Sequence, residues 1–373
     1  MKNKVKNPFR YGIAVDEPYF IDRGQELKDF YHWLISGQSL VVYSSRRYGK
    51  TSLILKLLKK LSTQGYKTVY VDFFKVYSRS RFAELYYQSI MKSLPSWEKS
   101  IRKISSLTKN IRPVFSIDTA GNPNVTVKWE PGNPPRMDEV FDLPQKLAKK
   151  KPWIVVFDEF QEIEKLNGET FEKEMRASMI HHDKVSYVFL GSQTHMLLNM
   201  FTHKSKAFYQ FGKIYELKKI PEEEQLKFLK KRFRETGIQT TPGICREIIL
   251  KSENIPHYVQ YLASAAWESS LENKGVLDRI TLNKAVEKVL INQDDYYFSY
   301  YERLTAYQKK VLHAIHVNNK NIFNATYIEN FRLTSASSVQ RAIERFIKDG
   351  ILEKKGNAYF FTDPFLSLWL MKM

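Results

Sequence analysis

The sequence predicts an α/β fold: a parallel sheet with helices on both faces, followed by a helical unit and a small domain of three helices and a hairpin. Three observations predict it. Short β-branched and aromatic runs alternate with helical patterns through residue 218. After Pro221 only helical periodicity continues. The last part closes on two short strand-like runs around Gly356-Asn357.

Residues 39–45 read as a short buried strand. Over 50–61, Leu53, Ile54, Leu57, Leu58 and Leu61 share one helical face and Lys56, Lys59 and Lys60 the other, until Gly65 ends the helix region. A second strand is expected over 67–74 and a helix over 80–93. Residues 94–136 are punctuated by Pro95, Pro113, Pro123, Pro131, Pro134 and Pro135. Within them, runs 114–118 and 125–129 flank Ala120-Gly121-Asn122-Pro123, a hairpin pattern, so the stretch reads as an insertion carried on the sheet. A helix over 137–150 leads to a third strand, 153–157. A further helix ends near His181 and His182, a fourth strand covers 185–190, and 214–217 offers a fifth. Helices are expected at 221–236, 242–253, 256–272 and 281–291, with a linker near 293–297. The expected domains are therefore 1–218, 219–294 and 295–373.

Composition narrows the class. A chain of 373 residues suits two or three domains, and 43% hydrophobic content supports packed cores. Cys245 stands alone, so neither an internal disulfide nor a thiolate zinc site is expected. The basic start, Met1 to Lys6, is followed by no apolar run, and runs such as 153–157 are too short to span a bilayer. A soluble cytoplasmic chain without a membrane segment is the expectation. The net charge of +19 suits a nucleic-acid partner or simply a lysine-rich solvated surface. It is spread along the chain: residues 299–373 carry eleven basic and six acidic groups.

Chemistry concentrates where the first strand meets the first long helix. Ser44-Ser45-Arg46-Arg47-Tyr48-Gly49-Lys50-Thr51, followed by Ser52, nearly fits G-x-x-x-x-G-K-[ST]. Loop N–H groups and the helix N-terminus would cradle phosphates. Lys50 would reach the β- and γ-phosphates and Thr51 would bind Mg²⁺. Gly49 would keep the backbone close to the ligand and free of a Cβ clash. Ser44 replaces the first glycine, which would strain the turn if its φ were positive. The third strand ends in Asp158-Glu159, two acids whose burial calls for a cation or donors. Asp158 would hold Mg²⁺ through water, and Glu159 would position or deprotonate the attacking water. The fourth strand ends at Gly191-Ser192-Gln193, where Ser192 or Gln193 would bond the γ-phosphate or that water.

This set resembles the AAA+/STAND-type P-loop ATPases of archaea and bacteria that carry a C-terminal winged helix. The resemblance rests on residues 20–27, 46–53, 158–163, 190–193, 254–260 and 363–369, in the family's order over nearly the whole chain. It implies a P-loop sheet, a helical lid and a winged helix. It further implies that the segment around Arg23 lies near the adenine and that the turn at Pro256 senses nucleotide. The chain departs from the pattern twice more. Asn254 stands where a glycine usually precedes that proline, and asparagine also tolerates the left-handed conformation. After the fourth strand, where such ATPases often place an arginine, Lys206 and Lys213 offer only lysines, so hydrolysis is expected to be slow or activator-dependent.

The C-terminal region reads as helices over 306–317, 325–331 and from Ser337, with Ser337 and Gln340 as a capping box. Val339, Ala342, Ile343, Phe346 and Ile347 would face the core, and Arg341, Glu344, Arg345 and Lys348 the other side, before Gly350 stops the helix. Runs 351–355 and 358–361 form the wing. Arg341, Arg345 and Lys348, with Lys354 and Lys355, suit DNA contact, while Glu344 suits a protein-docking face. His181-His182 and His313-x-x-His316 lack a third ligand at recognised spacing. The aromatics over 296–301 would stack on bases or staple a domain interface.

The expectation is thus an ATP- and Mg²⁺-dependent switch that hydrolyses ATP and couples nucleotide state to a winged helix contacting double-stranded DNA, a partner protein or a second copy. A non-hydrolysing nucleotide-binding scaffold and a DNA-binding regulator with ATP as effector are the alternatives.

Overall fold

The computed structural model describes residues 6–94, 104, 106–107, 111–117, 123–129, 137–166 and 168–373. They divide into two compact units. One is Asp22–Lys218; the other joins Lys219–Met373 with the described residues up to Ile21.

The strands of the first unit are β1 (Leu40–Tyr43), β2 (Lys67–Asp72), β3 (Ile111–Ile117), β4 (Pro123–Trp129), β5 (Trp153–Asp158), β6 (Val185–Gly191) and β7 (Lys213–Glu216). Five form a parallel sheet in the order β2-β5-β6-β1-β7. β5 and β6 are buried along their whole length, as their mostly apolar runs require of strands covered on both faces, and the buried Ser186 hydroxyl donates to the Leu34 carbonyl (2.8 Å). Beneath them Phe160 meets Phe189 at 4.7 Å and Phe73 at 5.5 Å between ring centroids. The β2 edge is closed by a helix: Tyr70 N–H donates to Ser89 Oγ (2.8 Å) and Thr68 N–H to Ser93 Oγ (3.2 Å), both on Arg79–Ser93. Main-chain donors that would template another strand are thereby satisfied.

β3 and β4 pair antiparallel, Ile111 opposite Trp129. Their turn, Ala120-Gly121-Asn122, and Asp118, Pro95, Pro131, Pro134 and Pro135 lie outside the described residues. The single helix expected over 137–150 is instead two, Met137–Phe141 and Leu143–Leu147. Pro144 sits in the first turn of the second, where its missing N–H is tolerated, and that restarts the helix.

The second unit holds helices Glu222–Glu235, Pro242–Lys251, Pro256–Glu272 and Arg279–Glu302. Strands do not end at Pro221: the two-residue strands β8 (Gln239–Thr240) and β9 (Val276–Leu277) pair in parallel, too short to show any period. The expected linker at 293–297 is helical. Asp294 Oδ1 accepts Trp369 Nε1–H (2.7 Å), and Tyr297 and Tyr300 are buried and bonded to Asp363 (2.9 Å) and Asp349 (3.1 Å). These aromatics staple the long helix to the C-terminal helices. Asn7 bonds Ser264 (2.9 Å) and Arg10 N–H bonds Gln260 (3.0 Å), which ties the N-terminal segment to this unit.

Helices Ala306–Val317, Ala325–Asn330 and Ala336–Lys348 then lead to the hairpin β10 (Leu352–Lys355) and β11 (Ala358–Phe361), and to a last helix, Pro364–Leu370. The third helix starts earlier than expected. Its cap is Ser335, whose Oγ accepts Ser338 N–H (3.2 Å), because the chain is already helical at Ser337. Gln340 bonds Glu344 instead (2.9 Å). The capping box belongs to the first helix, between Thr305 and Gln308. Val339, Ala342, Ile343 and Phe346 are buried, but Ile347 is 42% exposed, since one further residue turns it about 100° off the core face. No helix among the described residues is long and apolar enough to cross a membrane.

Candidate functional site

The loop between β1 and helix Lys50–Thr63 is shaped by two left-handed residues, Arg47 (φ 69) and Gly49 (φ 88); Ser44 is not among them. The glycine missing at position 44 is therefore not needed to make this turn. A Cβ on Gly49 would meet no protein atom within 4 Å, so within the protein its φ, not a clash, is what favours glycine. Lys50 is buried. Its Nζ donates to the Ser44 carbonyl (2.8 Å), Ser44 Oγ (3.0 Å) and the Ser45 carbonyl (3.2 Å). Ser44 thus contributes a hydroxyl partner to the lysine. Arg46 and Arg47 are exposed, Ser45 and Thr51 half-buried, and Tyr48 and Ser52 buried.

The ends of β5 and β6 bring an acidic group to the same corner. Asp158, 4% exposed, accepts Thr51 Oγ1–H (3.0 Å) and Tyr70 O–H (2.5 Å) on Oδ2, and Glu159 N–H (2.9 Å) on Oδ1. Burial pushes its carboxyl above the usual range, opposed by the bonds from Tyr70 and Thr51. Burial and the neighbouring Asp158 likewise hold the Tyr70 phenol far above its ordinary value, so it stays a donor. Glu159 has φ 50, an uncommon backbone for a residue with a side chain. Its Oε2 accepts Ser192 N–H (3.2 Å), Ser192 Oγ–H (2.7 Å) and Gln161 Nε2–H (2.5 Å). Gln193 instead caps helix Thr194–Thr202 without a side-chain bond. A Cβ on Gly191 would stand 2.4 Å from Gln161 Oε1, so the strand end leaves Gln161 its room.

The structure therefore brings Lys50, Thr51, Asp158, Glu159 and Ser192 together and adds Tyr70 and Gln161, which sequence reasoning missed. Gln161 had a local signal, lying two residues beyond Glu159. Tyr70 had none, because which strand flanks β5 is not written in either strand. Among the described residues no three His, Cys, Asp or Glu form a metal cage. Thr51 and Asp158 supply two oxygen donors, the number that suits Mg²⁺ when waters and phosphate oxygens complete its shell.

Arg23, buried and left-handed (φ 77), braces this unit. Its guanidinium pairs with Glu26 (2.7 Å) and donates to the carbonyls of Lys218 (2.8 Å) and Tyr48 (3.3 Å). In the other unit, Asn254 is left-handed (φ 56), its Nδ2 donates to the Ile220 carbonyl (3.1 Å), and Pro256 opens helix Pro256–Glu272. Arg341, Arg345, Lys348, Lys354 and Lys355 are exposed. Arg341 bonds Ser338 (3.3 Å), Arg345 pairs with Asp349 (3.5 Å), Lys355 pairs with Glu353, and Lys354 lies over the Tyr359 ring (5.9 Å). Of His181, His182, His313 and His316, the last three have side-chain hydrogen-bond partners: His182 bonds Tyr187 (2.6 Å) and Asp142 (3.0 Å), His313 bonds Tyr301 (2.9 Å), and His316 bonds Ser367 (2.8 Å).

Two family descriptions match. Residues 20–259 match "ATPase domain predominantly from Archaea", and residues 295–372 match "Probable winged helix domain". No curated protein matches the chain. Among solved structures, the Walker-type ATPase of Pyrococcus abyssi is similar over 98% of this chain and 99% of its own, at 16% identity and TM-score 0.66. The ORC2 protein of Aeropyrum pernix, in ADPNP–ADP complexes, is similar over 98% and 96%, at 16% identity and TM-score 0.56. The ORC1 protein of Aeropyrum pernix, in complex with DNA, is similar over 96% and 94%, at 13% identity and TM-score 0.50.

Proposed function

This chain belongs to the family of ATPase domains found predominantly in Archaea, and from that premise we propose that it binds and hydrolyses ATP with Mg²⁺ as a switch whose winged helix contacts DNA. One observation carries the nucleotide reading: the ends of β1, β5 and β6 join Lys50, Thr51, Asp158, Glu159 and Ser192 at one corner of the sheet. That is where an open parallel sheet places its ligand.

The residues divide the work. Loop N–H groups and the start of helix Lys50–Thr63 face phosphate oxygens. Lys50 exchanges the Ser44 and Ser45 oxygens for those of the β- and γ-phosphates. Thr51 and Asp158 would hold Mg²⁺, which when bound neutralises phosphate charge. Glu159, its Oε2 fixed by Ser192 and Gln161, orients a water and takes its proton. The water oxygen bonds to the γ-phosphorus as the bond to the bridging oxygen breaks, giving ADP and phosphate. Lys206 and Lys213, rather than an arginine, follow β6, which favours slow or activator-dependent turnover.

The DNA reading is supported by the exposed Arg341, Lys348 and Lys354 on the third helix and wing, the elements that dock on duplexes in such domains. The similar ORC1 protein was solved with DNA.

The test is nucleotide binding and turnover with and without duplex DNA. Lys50→Ala is expected to lose binding. Glu159→Gln should keep binding and lose roughly 100-fold or more in turnover. Stimulation by DNA supports the switch. Binding without turnover under any activator would leave a nucleotide-dependent scaffold, and absence of binding would overturn the proposal.

A further inference from the structure

We propose that Tyr70 is a positioning residue for the metal–nucleotide complex, acting through Asp158; this rests on the nucleotide reading above. Tyr70 sits on the edge strand β2, which otherwise stands apart from the loop and from the ends of β1 and β6. β2 pairs with β5 so that Tyr70 lies opposite Val156 and Asp72 opposite Asp158. From there the phenol reaches forward to the buried carboxylate and donates to Oδ2 at 2.5 Å.

The same oxygen accepts the Thr51 hydroxyl, and Oδ1 accepts Glu159 N–H. A carboxylate oxygen has two in-plane lone pairs. Tyr70 and Thr51 therefore occupy both on Oδ2, and Oδ1 keeps one for a metal-bound water. The Thr51 oxygen can face a metal while its O–H keeps donating to Asp158 Oδ2. Without Tyr70, Asp158 would lose one of the three donors that fix its rotation about the Cβ–Cγ bond.

The backbone that carries the phenol is itself anchored. Tyr70 N–H is held by Ser89 of the edge-covering helix. The edge helix and strand β2 thus hold a hydrogen-bond donor against the metal-binding carboxylate. Partners of this kind are worth roughly 10- to 100-fold in metal affinity.

The experiment compares wild type, Tyr70→Phe and Tyr70→4-aminophenylalanine for ADP affinity without metal, for Mn²⁺ affinity of the ADP complex read from the free-Mn²⁺ electron paramagnetic resonance signal, and for thermal unfolding. Tyr70→Phe is expected to weaken Mn²⁺ binding roughly ten-fold or more while metal-free ADP affinity stays unchanged. Tyr70→4-aminophenylalanine, whose amino N–H donates from the place of the phenol oxygen, should recover part of the loss. Unchanged Mn²⁺ affinity in Tyr70→Phe overturns the proposal. So does a parallel loss of metal-free ADP binding and thermal stability that 4-aminophenylalanine does not relieve, since that marks a packing role. If wild type binds neither ADP nor Mn²⁺–ADP, the nucleotide reading itself fails and this inference with it. If Tyr70→Phe does not fold, Tyr70→4-aminophenylalanine alone decides: Mn²⁺ affinity within three-fold of wild type supports a donor role, and a full ten-fold loss at normal stability overturns it.

Discussion

Lys50 and Asp158 are both buried ions, and each is satisfied by oxygen or nitrogen partners supplied by the chain. A buried charge without such partners would be costly. Ser44 meets the Lys50 ammonium twice, once through its carbonyl and once through its hydroxyl. Since Ser44 does not use the left-handed region, a glycine there would add backbone freedom without relieving strain. Ser44→Gly is therefore expected to keep the carbonyl contact, lose the hydroxyl, and destabilise the fold by about 0.5–1 kcal/mol. Its nucleotide affinity, measured by fluorescence titration, should stay within a few-fold of wild type. A large gain in affinity would mean that the serine obstructs the phosphate loop, against this geometry.

At the scale of elements, the site depends on how closely β6 lets its neighbours approach. Gly191 leaves room for Gln161, and Gln161 donates to the same oxygen of Glu159 that Ser192 holds. Gly191→Ala puts a methyl 2.4 Å from Gln161 Oε1 and 3.0 Å from Leu197 Cδ2, so the glutamine must withdraw. The expected outcome is a turnover loss of roughly ten-fold with nucleotide affinity retained, read by comparing kcat with ADP binding. Equal loss of both would show that the strand end itself had shifted. The same corner of the sheet separates local from long-range information in the sequence. The loop, the acids and the strand runs are local patterns, and Ser44 to Thr51, Asp158, Glu159 and Ser192 could be picked from them. Tyr70 could not, because its role depends on β2 lying beside β5. The supposed linker at 293–297 misled for a related reason: Asp294 and Asp295 look like loop residues until Trp369, far along the chain, supplies the partner for Asp294. The early start of helix Ala336–Lys348 shows the limit of a motif alone, since Ser335 and Ser337 both offer a cap and only Ser335 is extended (φ −163).

At the scale of the whole molecule, the net charge of +19 gives long-range attraction to a polyanion but no address on it. The address proposed here is the third helix and wing of the C-terminal domain. Arg345 and Lys355 already pair with Asp349 and Glu353, whereas Arg341 bonds a neutral serine. A cation that must first leave a carboxylate gains less from a phosphate. Arg341→Ala and Lys348→Ala are therefore expected to weaken duplex binding more than Arg345→Ala or Lys355→Ala. Each should lower the slope of log affinity against log salt by about one if it meets a phosphate. Titrations of one duplex across a salt series check this, and a second duplex of scrambled sequence tells phosphate contact from base reading. Equal losses on both duplexes mean backbone contact. A loss confined to one sequence means that Arg341 or Lys348 reads bases. Unchanged slopes in all four variants would place the positive charge that drives binding elsewhere on the chain and return the winged helix to a protein-docking role, the role that Glu344 on the same exposed face favours.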